Sequence, residues 1–161
     1  MSKIKLNETL DEQNMEFLTD LCSRIPYEVI CSIYRIDDSC VGWRDSKLEG
    51  FISNEIGFEF YFEDMVTVDN NLKKIKPYLR SLDSITDDEI EELKSLADKD
   101  LNDYAGYLKE GHGLTRDGLY KLINPRQIFW FLKNHFDIND LIPKGLAIKV
   151  TEEYNPYNKE D

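Results

Sequence analysis

Seven residues constrain this chain more than any others. In Ile56-Gly-Phe-Glu-Phe-Tyr-Phe62, Ile56, Phe58, Phe60 and Phe62 alternate with Gly57, Glu59 and Tyr61. A period of two puts the four large apolar side chains on one face of a strand, and that face must be covered by a core. A sheet is therefore required in the middle of the chain. Other β-rich runs surround it. Tyr27 to Tyr34 would set Val29, Cys31 and Ile33 on one face, and Leu48–Ser53, Met65–Val68 and Ile75–Leu79 are short strand candidates. Asn54-Glu55 fits a tight turn between Leu48–Ser53 and the Phe-rich strand. About five short strands on short turns suggest a curled antiparallel sheet, or a small barrel of SH3-like size.

On either side of this region the apolar period changes to 3.6. Leu10, Phe17, Leu18, Leu21, Cys22 and Ile25 form one stripe over 9–25, with Glu12, Glu16, Thr19, Asp20 and Ser23 on the other side. Thr9 and Glu12 make a capping box, and Pro26 ends the helix. A second helix starts at Thr86, whose capping-box partner is Glu89, with Asp87 and Asp88 at the positive end of the dipole. Its stripe of Ile90, Leu93, Ala97, Leu101, Tyr104 and Leu108 carries it to about residue 109, and Gly111-His-Gly113 opens a loop over 110–118. Asn124-Pro125 starts a third helix that runs to Phe136. Leu141 to Val150 reads as a turn and a short strand, followed from Thr151 by a polar tail that holds Tyr154 and Tyr157. The expected fold class is α+β: an N-terminal helix, a small curled antiparallel sheet and a helical C-terminal half. With no repeat, low-complexity tract or linker, residues 1–161 are expected to form one domain (helix 9–25, β-rich 27–79, helical 86–150, tail 151–161).

Charge narrows the function classes. The 161 residues carry a formal net charge of -12, which opposes general nucleic-acid binding. More than half of it lies in residues 81–110, which hold 3 basic and 10 acidic side chains. Glu91, Glu92 and Asp98 would lie on the outer face of the second helix. That face is either simply solvated or an imitation of a phosphate backbone that occupies a basic site on a partner.

No run of 18 apolar residues offers a transmembrane helix, and the first residues lack the apolar stretch of a secretion signal. Three cysteines without a close pair fit a reducing cytosol better than a disulfide framework or a zinc site. Cys22 and Cys31 read as small core residues.

Catalytic signatures are missing. The sequence has no P-loop, HExxH, GxSxG or glycine-rich dinucleotide fingerprint, and Gly111-x-Gly113 follows a helix, the wrong context for phosphate. His135 reads as a core or helix-terminal residue. No cofactor, metal or membrane contact is expected, and no catalytic residue stands out.

One side chain breaks the pattern. On a wheel for 125–136, Ile128, Phe129, Leu132 and Phe136 form the buried face, and Arg126, Gln127, Lys133 and Asn134 the polar one. Trp130 falls among the polar group. It is either covered by the tail tyrosines or open as a recognition anchor beside Arg126 and Lys133.

Three stretches together carry a resemblance: Leu21-Cys-Ser-Arg-Ile-Pro-Tyr-Glu-Val29, Ile75 to Glu89, and Phe131 to Ala147. The chain resembles a group of uncharacterised small proteins encoded in phages, prophages and mobile elements of gut bacteria. That group has glycine where Glu28 stands and Pro-Leu-Ser-Ser-Met where Ser81 to Ile85 stand. The group has no assigned activity, so the resemblance implies a cytosolic accessory protein of mobile-element origin and transfers no site residue. The expected function is a non-enzymatic protein-interaction module with an unidentified protein partner. The alternatives are an acidic mimic of nucleic acid that inhibits a host nucleic-acid-binding protein, and an enzyme whose site the sequence does not display.

Overall fold

The computed structural model describes residues 12–37, 40–53, 58–68, 72–97, 108 and 123–158. The chain packs as two compact units, Met1–Pro77 and Tyr78–Asp161.

In the first unit, helix α1 (Glu12–Ser23) buries Phe17, Leu18 and Leu21, as its stripe requires. The Thr9 cap and Leu10 lie outside the described residues. Asp20 departs from the expected polar face. It is buried and holds Arg24 through two hydrogen bonds, from Nε to Oδ2 at 2.7 Å and from Nη2 to Oδ1 at 2.9 Å. A short 3-10 turn, Ile25–Tyr27, takes Pro26 in its first positions, where the missing N–H costs nothing. Glu28 then closes the turn at φ 57°, ψ 42°, the left-handed region that favours glycine.

Five strands follow, the first four as an antiparallel meander and the fifth returning to pair antiparallel beside the first. They are β1 (Ile30–Asp37), β2 (Cys40–Ser53), β3 (Phe58–Phe62), β4 (Met65–Val68) and β5 (Ile75–Leu79). The spatial order is β4-β3-β2-β1-β5, with β5 joining through Ile75 to Pro77. Among the described residues no ladder joins β4 to β5, so the sheet is open there and not a closed barrel. Val29, Cys31 and Ile33 share a buried face, as do Phe58, Phe60 and Phe62. Ile56 and the turn at 54–55 lie outside the described residues, but Ser53 stands opposite Phe58 on the strands they join.

Strand β2 is longer than the sequence suggested. Its first half, from Cys40 to Lys47, pairs with β1, and its second half, from Leu48, pairs with β3. A register shift between Leu48 and Gly50 marks the changeover. One strand thus serves two neighbours in turn, the geometry of a coiled sheet.

In the second unit, Tyr78 and Leu79 of β5 pair in parallel with β6 (Ile148–Lys149). Helix α2 (Asp87–Ser95) has the expected capping box, with Glu89 N–H donating to Thr86 Oγ1 at 3.2 Å and Thr86 N–H to Glu89 Oε2 at 2.9 Å. It stops at Ser95, short of the expected residue 109. Two side chains from the start of the helix at Pro125–Lys133 occupy carbonyls at the end of α2. Asn124 Nδ2 donates to Leu96 O at 2.7 Å and Gln127 Nε2 to Leu93 O at 3.2 Å. Carbonyls satisfied this way need no further helical turn. Residues 98–107 and the loop at 110–118 lie outside the described residues, and Leu108 is buried.

Helix α3 (Pro125–Lys133) starts at Asn124 and Pro125 as expected, with a capping box to Gln127. It ends three residues before the expected Phe136, because Asn134 caps it and His135 turns left-handed at φ 59°. His135 O then accepts from Arg80 N–H, and Asp137 N–H donates to Arg80 O, each at 2.8 Å. The fold is α+β.

Candidate functional site

The expected phase of α3 needs correction. Trp130 is 6% exposed, stacked on Phe136 at 5.6 Å and edge-on to Phe131 at 5.4 Å. Gln127 is buried as well, spent on the capping box and on Leu93 O. Phe129, expected inside, is 56% exposed. The outer face of α3 is therefore Arg126, Phe129 and Lys133, spaced three and four apart. The aromatic beside the two cations is Phe129, and Trp130 offers no recognition surface. The tail tyrosines have ring contacts of their own. Tyr157 stacks on His135 at 3.9 Å and donates its hydroxyl to Tyr78 O at 2.8 Å, and Tyr154 packs on Tyr78.

On α2, Glu91 and Glu92 are exposed, and Asp98 lies outside the described residues. Lys94 Nζ contacts Glu91 Oε1 at 2.7 Å, and Arg80 holds Glu89 through both carboxylate oxygens, at 2.6 and 2.9 Å. Burial works to raise the Glu89 carboxyl. The hydrogen bonds from Arg80 and Thr86, with the Arg80 charge, outweigh it and hold Glu89 below the usual carboxylate range.

Described residues of the second unit line two clefts. One, of about 230 Å³, is lined by residues including Ser81, Asp83, Asp137, Asp140 and Lys149. Asp137 is engaged in structure there, with Oδ1 accepting from Leu141 N–H at 2.8 Å and Oδ2 from Ile142 N–H at 2.7 Å. The other, of about 440 Å³, includes Arg80, Ser84, Lys149, Thr151, Asn155 and Asn158. Neither lining includes a histidine or a cysteine, and Arg80 is committed to Glu89. In the first cleft the Ser81 hydroxyl donates to an Asp83 carboxylate oxygen. Burial pushes the Cys31 thiol far above its ordinary value, and the half-buried Cys22 is raised for the same reason. Neither has thiolate character. Among the described residues no group of three His, Cys, Asp or Glu side chains could hold a metal ion. No described helix is long and apolar enough to cross a membrane.

An exposed apolar cluster lies in the first unit, on the β1–β2 hairpin, where the sequence reading placed no site. Tyr34 stands opposite Trp43, and Ile36 opposite Val41. Residues directly opposite in a ladder share a face, and this face is the reverse of the one that buries Cys31 and Ile33. Ile36 is 69% exposed, Val41 68% and Trp43 49%. The Tyr34 and Trp43 rings lie 5.3 Å apart, and Lys76 Nζ is 5.8 Å from the Trp43 ring. Two aromatics and two β-branched aliphatics thus form one patch with a cation at its margin. A contiguous apolar patch, unlike scattered single residues, marks an interaction surface. The sequence signal was the alternation of Val41 and Trp43 about Gly42, masked by the charged Arg44, Asp45 and Lys47 that follow.

No protein-family model, curated protein or solved structure matches the chain significantly.

Proposed function

We propose that the protein is a non-enzymatic protein-interaction module of a bacterial cytosol, an accessory protein of mobile-element origin. It docks a partner on the outer face of the β1–β2 hairpin. The observation that carries this reading is the exposed set of Tyr34, Ile36, Val41 and Trp43 on one sheet face. Aromatic residues dominate the energetics of protein interfaces because they bury large rigid surfaces at low entropic cost. The Asp137 carboxylate is spent on backbone amides and neither cleft lining holds a histidine or a cysteine, which supports binding over catalysis.

The test is affinity capture from a bacterial lysate with wild type, Ile36→Ser and Phe129→Ser compared. A specific partner should be retained by Phe129→Ser and lost by Ile36→Ser. Retention by both variants would overturn the assignment to the hairpin.

Mimicry of nucleic acid by the acidic helix is the second reading, and the exposed Glu92 and Asp88 favour it. The nine residues of α2 span only about 13 Å, and Glu89 and Glu91 are already neutralised by Arg80 and Lys94. Charge reversal at Glu91 and Glu92 should leave partner capture intact if the hairpin is the site, and abolish it if the acidic helix is.

A further inference from the structure

The hairpin has an edge as well as a face, and the backbone shows which residues use it. Leu48 N–H donates to Val29 O, toward β1, at 2.9 Å. Lys47 O accepts from Glu63 N–H, away from β1, at 3.0 Å. Adjacent strand residues direct their backbone groups to opposite sides. The register from Cys40 to Lys47 is unbroken, so Trp43 and Val41 point their N–H and C=O groups the same way as Lys47. Strand β3 starts its pairing at Leu48. Among the described residues, no ladder reaches Val41 or Trp43 on that side.

Between these two lies Gly42, at φ 148°. A Cβ placed there would meet nothing within 4 Å in its own chain. A φ in this range favours glycine by itself, and the open space beside Gly42 leaves room for another backbone to approach.

Charge is favourable at the same spot. Residues 34–47 carry Arg35, Arg44 and Lys47 against Asp37, Asp38 and Asp45, a net of zero in a chain of -12. The hairpin is a place where two such acidic molecules meet without local repulsion.

We infer that the free edge of β2 pairs with the same edge of a second copy of this chain. The proposal rests on the hairpin being the interaction element, and it names the first occupant of that element's edge. Two-fold pairing about Gly42 sets Gly42 opposite Gly42 of the second copy, as the close non-hydrogen-bonded pair on the axis. Val41 then exchanges both backbone hydrogen bonds with Trp43 of the second copy, and Trp43 with its Val41. Other even-sum registers are possible for an antiparallel pair. This one brings every outward donor and acceptor of Val41 and Trp43 into use and packs each tryptophan against a valine on the same face. The outer face of each hairpin continues across the axis, so the patch that docks a heterologous partner is doubled.

The experiment is sedimentation equilibrium of the full chain, from micromolar to near-millimolar concentration and at low and high salt, on wild type, Val41→Pro and Phe129→Ser. Val41→Pro removes the outward N–H while leaving the β1 ladder in place, and circular dichroism with a thermal melt checks that each variant folds. Wild type should dimerise reversibly, more tightly at high salt because screening weakens the repulsion between the acidic bodies. Phe129→Ser, on the outer face of α3, should dimerise like wild type, and Val41→Pro should stay monomeric. Amide hydrogen exchange supplies a readout that does not depend on a variant. Protection of the Val41 and Trp43 amides should rise with protein concentration, while that of Arg44, which already faces β1, should not. A wild type that is monomeric throughout, or a Val41→Pro that dimerises as well as wild type, would overturn the inference. Capture of a different protein by a monomeric wild type, lost in Ile36→Ser, would overturn self-pairing and leave the docking face standing.

Discussion

Arg24 meets Asp20 one helical turn below it, and both side chains are fully removed from water. The contact is bidentate, with Nε on Oδ2 and Nη2 on Oδ1. Such a fork satisfies two donors and two acceptors at once and fixes the orientation of the guanidinium. It also explains why a polar residue sits on the inner side of α1: once the charge is paired, the position tolerates it.

Breaking this pair should cost far more than removing it. Asp20→Ala leaves a buried guanidinium without its counter-charge and should destabilise the protein by about 3–5 kcal/mol. The double variant Asp20→Leu with Arg24→Met replaces both charges by apolar groups and should recover most of that loss. Urea unfolding followed by circular dichroism measures both. Equal losses in the single and double variants would show that the site depends on shape and not on charge pairing.

Glu28 offers the opposite case, a residue at odds with its backbone. At φ 57° it occupies the left-handed region, which costs a residue with a Cβ about 1–2 kcal/mol. Its ion pair with Lys47, at 3.6 Å, lies largely in solvent, and such pairs contribute little. Glu28→Gly should therefore stabilise the protein by about 0.5–1 kcal/mol, the relief of strain being offset in part by the freer unfolded chain. A melting temperature that falls on this substitution would mean that the carboxylate matters more than the turn.

The parts of the fold legible in sequence were those with a single physical signal. Phe58, Phe60 and Phe62 alternate against small or polar neighbours, and the structure buries them on one face. Thr86 with Glu89, and Asn124 with Pro125, are caps that any helix start at those positions would use, and both formed. The phase of α3 was not legible. Ile128 to Leu132 are five consecutive apolar residues, which define no unique stripe, so tertiary packing chose Trp130 and Phe131 and left Phe129 outside. The first half of β2 was hidden for another reason. An outer hairpin strand needs no covered second face, so Val41 and Trp43 carry no burial pattern. The candidate site was missed with it. The sequence drew attention to the wrong tryptophan because exposure cannot be read from residue type alone.

The two tryptophans should therefore separate optically. Trp130 is buried between Phe131 and Phe136, and Trp43 is half-exposed. Iodide should quench only the redder part of the emission, and Trp43→Phe should remove the quenchable fraction. Trp130→Ala should cost about 3–5 kcal/mol, the usual scale for emptying a large aromatic site. Trp130→Phe should cost much less, because the buried indole Nε1 has no hydrogen-bond partner among the described residues and its loss removes a desolvated donor. Phe129→Ala, on the exposed face, should fall within about 0.5 kcal/mol of wild type. A large loss there would restore the helix phase first read from sequence.

The last expectation concerns acid. Glu89 is gripped at both oxygens by Arg80 and accepts from the Thr86 amide, so its folded carboxyl titrates below its unfolded one despite partial burial. A group depressed in this way contributes its stability in full above the unfolded value, near 4.3, and loses it as pH falls through the folded one. Glu89→Gln keeps a capping-box acceptor at the third helical position while removing the charge. It should cost about 1 kcal/mol at neutral pH, the upper end for partly exposed ion pairs. At pH values below both titrations the two proteins should converge, since wild-type Glu89 is then uncharged as well. Urea unfolding of each protein from neutral to acid pH measures the gap directly. A gap that stays constant down to the most acid sample would show that the Glu89 contribution comes from shape and capping, and that the Arg80 contact adds no charge-dependent stability.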